Sequence, residues 1–380
     1  MKRVIIMNAV PTNNGDAALV FGLRDKLINR GYEVLISTTK FDTVKELYPQ
    51  VSWEKADYEF KPMYLRIFRI FPWLKKYVMK YRVRHNKAYQ TADFVIGAPG
   101  GYINSYYGIE DKLYCMKLMR EYHGAKIVMY SQSVGPLNEE DAKILKEYMN
   151  QFELFMARDE ISYKHVEGFK NCIQTNDAAF LLDNQACDQG NKKGTVAVSV
   201  REWKYDDRSK EKYIALVKAF VEQCIESGKH VEFISTCQGL EGYVDDAKMA
   251  EEIVSHLEKK YQDQVKVNQR YYTLHELRKN LHKYEFVIGT RLHMCILTML
   301  AGIPAINISY EVKGKECFRM LGFEKYSVDY NSEVEESLEV LKDFMENIDN
   351  LNQEYRKRIV AMNEEAEKYF ELMITEVLEK

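Results

Sequence analysis

The stretch EFVIGTRLHMCILTMLAGIPAI, residues 285–306, decides the reading of the fold. An apolar run, Phe286 to Ile288, ends at Gly289-Thr290. A segment with Leu292, Ile296 and Met299/Leu300 on one helical face follows at once, and Gly302 and Pro304 stop it. A second apolar run, PAINIS, begins directly after. Strand, helix and strand at this spacing form the unit of a parallel sheet buried on both faces. Arg291 and His293 stand where the helix begins. Free N–H groups and the helix dipole favour an anion there, so cations are costly unless an anion joins them. The spacing predicts a bound anion; the alternative is a histidine merely hydrogen-bonded in a core.

The same alternation extends in both directions. RVIIMNAV (3–10), EVLIST (33–38), DFVIGAPGG (93–101), KIVMYSQSVGP (126–136) and FELFMARD (152–159) read as strands ending in polar or glycine-bearing loops. TVAVSVREW (195–203), HVEFIST (230–236) and VKVN repeat the scheme. Helical patterns lie between them, near 208–227 and 243–260, and one long charged amphipathic pattern covers 333–379. The expected fold class is α/β: two Rossmann-like domains with doubly wound parallel sheets facing across a cleft. The polar stretch near 184–194 is the candidate linker, giving an N-terminal domain over 1–185 and a C-terminal domain over 186–345. Residues 346–380 form a closing helix.

Composition narrows the function classes. The 380 residues carry 54 basic and 57 acidic side chains, a formal charge of −3 that gives no global attraction to nucleic acid. The apolar run in MKRVIIMNAVPTNNGDAALV is too short for a signal peptide, and no stretch reaches the length of a membrane span. Seven cysteines without CxxC spacing fit free thiols in a reducing cytoplasm, not disulfides or zinc. No metal-ligand set is legible, and no cofactor is expected.

Ligands of open parallel sheets bind beyond the carboxyl ends of the strands, so those loops hold the candidates. Arg201 follows TVAVSV and should emerge at such an edge, shaped to fork a phosphate or carboxylate or else to form a structural salt bridge. In NNGD, Asn14, Gly15 and Asp16 either hold a ligand at a helix start or supply its cap. Gly100 and Gly101 of GAPGG, with Ser131 and Gln132 of SQSVGP, are expected to line a site, the alternative for GAPGG being a tight turn alone. Arg158 and Asp159 of ARDEIS read as a structural ion pair at a helix start. SYEVKGKE (309–316) reads as a polar loop bringing Glu311, Lys313 and Lys315 beside Arg291. Residues 61–87 hold many Lys and Arg, no Asp or Glu, and the aromatics Phe68, Phe71 and Trp73. That pattern fits an interfacial membrane helix, an anionic-acceptor site, or an ordinary helix packing by its aromatics.

GTRLHMCILTMLAGIPAINISYEVKG, together with NNGDAALV, SQSVGPL, ARDEIS and TNDAAFLL, resembles the polysaccharide pyruvyl transferase family over most of residues 1–325. The resemblance implies a fold like that of GT-B glycosyltransferases, with a C-terminal helix returning to the first domain. It also implies transfer of pyruvate from phosphoenolpyruvate to a sugar of a cell-surface or exopolysaccharide precursor, free or lipid-linked, to form a cyclic ketal. On that reading Arg201, Arg291 and Lys313 hold the donor, His293 protonates its C3, and Asp16 takes the proton of the attacking hydroxyl. Two rivals stand beside it. One is a nucleotide-sugar glycosyltransferase in which Glu311 or Glu316 holds the ribose and Arg291 the diphosphate. The other is a carbohydrate-binding member without turnover. The expected location is the cytoplasm, with residues 61–87 touching the inner membrane face.

Overall fold

The computed structural model describes residues 1–184, 194–204 and 207–380. All but the ends of the linker expected near 184–194, and with it the boundary at 185/186, lie outside the described residues. The chain divides into two compact units. The first comprises Met1–Thr12, Leu19–Leu181 and Glu365–Lys380; the second comprises Asn13–Ala18 and Leu182–Glu364.

In the first unit eight described strands form one sheet. They are β1 (Arg3–Met7), β2 (Glu33–Thr38), β3 (Trp53–Lys55), β4 (Phe94–Gly97), β5 (Gly100–Ile103), β6 (Lys126–Val134), β7 (Leu154–Ala157) and β8 (Cys172–Gln174). Their order is β3-β2-β1-β4-β6-β7-β8, with β5 paired to β6, and every pairing is parallel. The apolar runs explain this: β1, β4, β6 and β7 bury nearly every residue, which a sheet covered on both faces requires. Strand order reverses between β1 and β4, the switch point where such sheets bind ligands.

The basic segment 61–87 forms two helices, Pro62–Ile70 and Pro72–His85, each opened by a proline in its first turn. The single helix predicted over 333–379 is two, Val334–Glu346 and Ile348–Met373. They part at Asn347, which caps the first helix with both its backbone N–H (3.1 Å) and its side-chain amide (2.8 Å) donating to the Asp343 carbonyl. The chain's last turns close on the first sheet, where Lys2 Nζ donates to Leu378 O (2.7 Å) and Lys126 Nζ to Val377 O (3.1 Å).

The second unit holds β9 (Thr195–Ser199), β10 (His230–Phe233), β11 (Val265–Val267), β12 (Phe286–Gly289), β13 (Ala305–Ser309) and β14 (Ser327–Asp329). Their order is β11-β10-β9-β12-β13-β14, again all parallel. Here the order reverses between β9 and β12. The quoted stretch supplies β12, the helix Leu292–Leu300 and β13, as its periodicity predicts. Residues 309–316 are not a polar loop. The helix Val312–Met320 starts inside them with Glu311 at its N-cap position.

Candidate functional site

The switch point of the second sheet sets the ends of β9 and β12 side by side, with Ser199 paired to Gly289. The ladder runs one step further, Thr290 N donating to Ser199 O at 2.7 Å. Beyond it the two chains are clamped by Tyr213. Its hydroxyl lies 2.7 Å from Thr290 Oγ1 and accepts from Arg201 N at 3.1 Å. The Tyr213 ring stacks on Tyr330 at 3.9 Å and 6°, and both rings are fully buried. A buried, doubly bonded phenol holds two strand ends in fixed geometry, which a site built from both strands needs.

Arg291 occupies the N-cap position of the helix Leu292–Leu300, and its anion is internal. Its Nε donates to Asp246 Oδ2 and its NH2 to Asp246 Oδ1, each at 2.8 Å, a bidentate fork. Asp246 is only 3% exposed and also accepts from Ser235 Oγ at 2.6 Å. Burial disfavours the Arg291 charge, but the Asp246 carboxylate overrides it and holds the guanidinium above its ordinary pKa. Arg291, expected to hold a donor phosphate, has an internal carboxylate partner on two of its nitrogens. Asp246 compensates the charge of this half-buried cation.

Arg201 has a different environment. Its guanidinium carbon lies 4.6 Å from the centre of the Tyr310 ring and 5.1 Å from that of Trp203, and NH1 donates to the Tyr310 hydroxyl. Among the described residues no carboxylate lies within ion-pair distance of it. Burial pushes the Tyr310 phenol up, against the pull of Arg201, so the hydroxyl stays neutral at pH 7. It accepts from Arg201 and keeps its own O–H to donate.

His293 stands in the first turn of the helix Leu292–Leu300, against the first turn of the helix Asn14–Asn29. A Cβ on Gly15 would lie 2.9 Å from His293 Nδ1 and 3.1 Å from its Cβ, so only glycine fits there. The helix is capped by Asn13, not by Asn14 or Asp16. Asn13 Oδ1 accepts from Asp16 N (2.9 Å), and Asn13 Nδ2 donates to Asp16 Oδ2 (2.7 Å). Asn14 ties this turn to the end of β10: its N–H donates to Thr236 O (2.8 Å) and its Nδ2 to Tyr272 O (3.0 Å). Its Oδ1 is buried without a partner among the described residues.

Within the second unit the fold thus brings together Asn14, Gly15, Asp16, Arg201, Arg291 and His293, with Lys313 in the first turn of Val312–Met320, 3.4 Å from Glu311. Asn13, Tyr213, Asp246 and Tyr310 were not legible in the sequence. The one hint was the doubled Asp245-Asp246 at a helix start, since a cap uses one carboxylate and here Asp245 supplies it.

Gly100, Gly101, Ser131 and Gln132 belong to the first unit. Gly100 takes a positive φ of 141° at the start of β5, opposite Gln132. Ser131 and Gln132, expected as lining residues, are fully buried. Ser131 Oγ donates to Asn176 O (2.9 Å) and accepts from Ala178 N (3.0 Å); Gln132 Nε2 donates to Ala98 O and to the Tyr102 hydroxyl (3.3 Å). They shape the loops that follow β4 and β8. The ion pair read in ARDEIS also changes. Arg158 pairs with Asp177 at 2.9 Å and only grazes Asp159 at 4.0 Å, while Asp159 caps the helix Glu160–Lys164. Among the described residues no three His, Cys, Asp or Glu side chains converge as metal ligands.

Two Rossmann-like units with these switch points define a GT-B-type α/β protein, and solved structures bear out the class. A glycosyltransferase from Rickettsia africae ESF-5 matches with a TM-score of 0.65 at 9% identity, covering 99% of this chain and 98% of that one. Anabaena Alr3699/HepE, solved with UDP and glucose, matches with a TM-score of 0.64 at 11% identity over 100% of each chain. The UDP-GlcNAc 2-epimerase of Methanocaldococcus jannaschii matches with a TM-score of 0.56 at 12% identity, covering 90% of this chain and 92% of that one. At these identities the likeness is one of fold alone. The family model for polysaccharide pyruvyl transferase matches residues 13–312, and the chain belongs to that family. It is also 27% identical over 270 residues to the amylovoran biosynthesis protein AmsJ of Erwinia amylovora. That match covers 65% of this chain and 63% of the relative.

Proposed function

We propose that the protein transfers pyruvate from phosphoenolpyruvate to two hydroxyls of a sugar in a cell-surface or exopolysaccharide precursor, forming a cyclic ketal. Family membership supports pyruvyl transfer, and the likeness to the amylovoran biosynthesis protein of Erwinia supports a polysaccharide acceptor. The observation that carries the reading is Arg201, a guanidinium without a carboxylate partner among the described residues, at the same switch point as His293. Arg201 and the Tyr310 hydroxyl take the donor's phosphate or carboxylate, and Lys313 adds a second cation. Arg291, forked on Asp246, fixes the start of the helix that carries His293. His293 protonates C3 of the enol, making C2 electrophilic. One sugar hydroxyl attacks C2 and gives its proton to Asp16. The C2–O bond to phosphate breaks, and the second hydroxyl closes the ring, its proton leaving with the phosphate. The atoms balance: a diol and phosphoenolpyruvate become a ketal and hydrogen phosphate. The reaction as written uses no cofactor.

The test is mass spectrometry of acceptor fractions after incubation with phosphoenolpyruvate, reading a gain of one pyruvate less one water. Calorimetric titrations with phosphoenolpyruvate and with UDP run in parallel. Arg201→Ala should weaken phosphoenolpyruvate binding by about 1.5–3 kcal/mol, and Arg201→Lys should not restore it where the contact is a fork. Tight UDP binding without any phosphoenolpyruvate binding would replace this reading by nucleotide-sugar transfer.

A further inference from the structure

The helices Pro62–Ile70 and Pro72–His85 present the first unit's densest exposed apolar surface. Ile70 is 71% exposed, Trp73 67% and Met63 64%, with Ile67, Phe71 and Tyr77 exposed beside them. Met63, Ile67 and Ile70 follow the i, i+4, i+7 spacing of one helical stripe. The aromatics do not all pack inward as in an ordinary core helix. Phe68 does, edge-on to Phe60 at 4.8 Å, and the second helix fully buries its own Met79 and Val83. Two cations also hold the pair in place, Lys75 on Asp111 and Lys76 on Glu110. Arg82 donates to the carbonyls of Asp57 (3.2 Å) and Glu59 (2.8 Å). The inner side is therefore fixed and the outer side is bare.

The charge of the outer side selects its partner. Residues 61–87 hold nine Lys or Arg and no Asp or Glu, so a chain of net −3 leaves −12 on everything else. Among the described residues no carboxylate lies within ion-pair distance of Lys61, Arg66, Arg69, Arg84 or Lys87. Such a concentration of like charge beside exposed Trp, Tyr, Phe and Ile repels a second copy of itself. It complements an anionic interface into which apolar side chains sink a few ångströms. No described helix is long and apolar enough to cross a membrane, so the contact is superficial.

We propose that this helical pair docks the protein on the surface of an anionic phospholipid bilayer, with Ile70 and Trp73 inserting at headgroup depth and Arg66 and Arg69 meeting the phosphates. The full chain is sedimented with vesicles of phosphatidylcholine alone and of phosphatidylcholine with phosphatidylglycerol, at low and high salt. Binding should occur on the mixed vesicles only and should fall steeply with salt as the Debye length shrinks. Tryptophan emission should shift to the blue on binding, and Trp73→Ser should remove that shift. Arg66→Glu with Arg69→Glu changes four charges and should lower partitioning on the order of 10²–10³-fold, at about fivefold per charge. Ile70→Ser should reduce the binding that survives high salt. All these side chains are exposed, so the variants should unfold at the wild-type temperature; should one not fold, the wild-type lipid, salt and emission responses still decide. Absence of binding at low salt, equal binding to uncharged vesicles, or a dimer in solution that the Arg66→Glu/Arg69→Glu variant dissolves would each overturn the proposal.

Discussion

Arg291→Ala removes a two-bond fork, each bond 2.8 Å, and strands Asp246 at 3% exposure with only the Ser235 hydroxyl for company. Removing one partner of a buried pair typically costs about 3–5 kcal/mol, because the remaining charge is left without compensation. Asp246→Ala should cost a similar amount from the other side. The double variant Asp246→Leu/Arg291→Met removes both charges and should lose far less than the sum, giving a coupling energy of at least about 2 kcal/mol. Trp203 is the second unit's single tryptophan, with Trp53 and Trp73 in the first. In a Trp53→Phe/Trp73→Phe background, fluorescence in a urea series reports the unit that holds the pair. Arg201→Ala in the same background should shift the midpoint little, since it gives up one hydrogen bond and ring contacts. Additive losses within about 0.5 kcal/mol for Arg291 and Asp246 would refute the assignment of Arg291 as a positioning residue.

Three further outcomes are expected. His293→Asn should bind phosphoenolpyruvate within a few-fold of wild type and lose about 10²-fold or more in turnover; normal turnover would make His293 a packing residue. Gly15→Ala drives a methyl to 2.9 Å from His293 Nδ1 and should lower kcat about tenfold or more at about 1–3 kcal/mol of stability, with little added loss in the His293→Asn background. Asp57, pushed by burial up to about 6 against the Asn86 amide bond and Arg82, holds its proton in the fold where an unfolded carboxyl has lost it. The fold is therefore penalised as pH rises from about 4 to above 6, by up to about 3 kcal/mol. Asp57→Asn should raise stability above pH 7 and change nothing below about pH 4, as thermal melts across pH will read.

Local pattern carried the architecture. Apolar runs of strand length alternating with helical periods specify parallel sheets because each such run must be covered on both faces, wherever its neighbours come from. The same argument placed Arg201, Arg291 and His293 just beyond strand ends, and from residues 285–306 alone a cation at a helix start called for an anion, read there as a bound one, whereas Arg291 meets the side chain of Asp246. That carboxylate was not legible. Asp246 lies 45 residues before Arg291, and Asp177 lies 19 after Arg158, separations at which no helical or strand period links two side chains. Ser131 and Gln132 looked like lining residues because they follow an apolar run, yet β6 runs on through them to Val134 and buries them. In the helical pair at 62–85 the sequence supplied charge and aromaticity, but only packing decided that Phe68 turns inward while Trp73 does not. Periodicity tells a side chain which face it shares with its near neighbours. Which distant group meets that face follows from strand order and sheet register, and these are settled by the simultaneous burial of all the strands, a property of the whole chain.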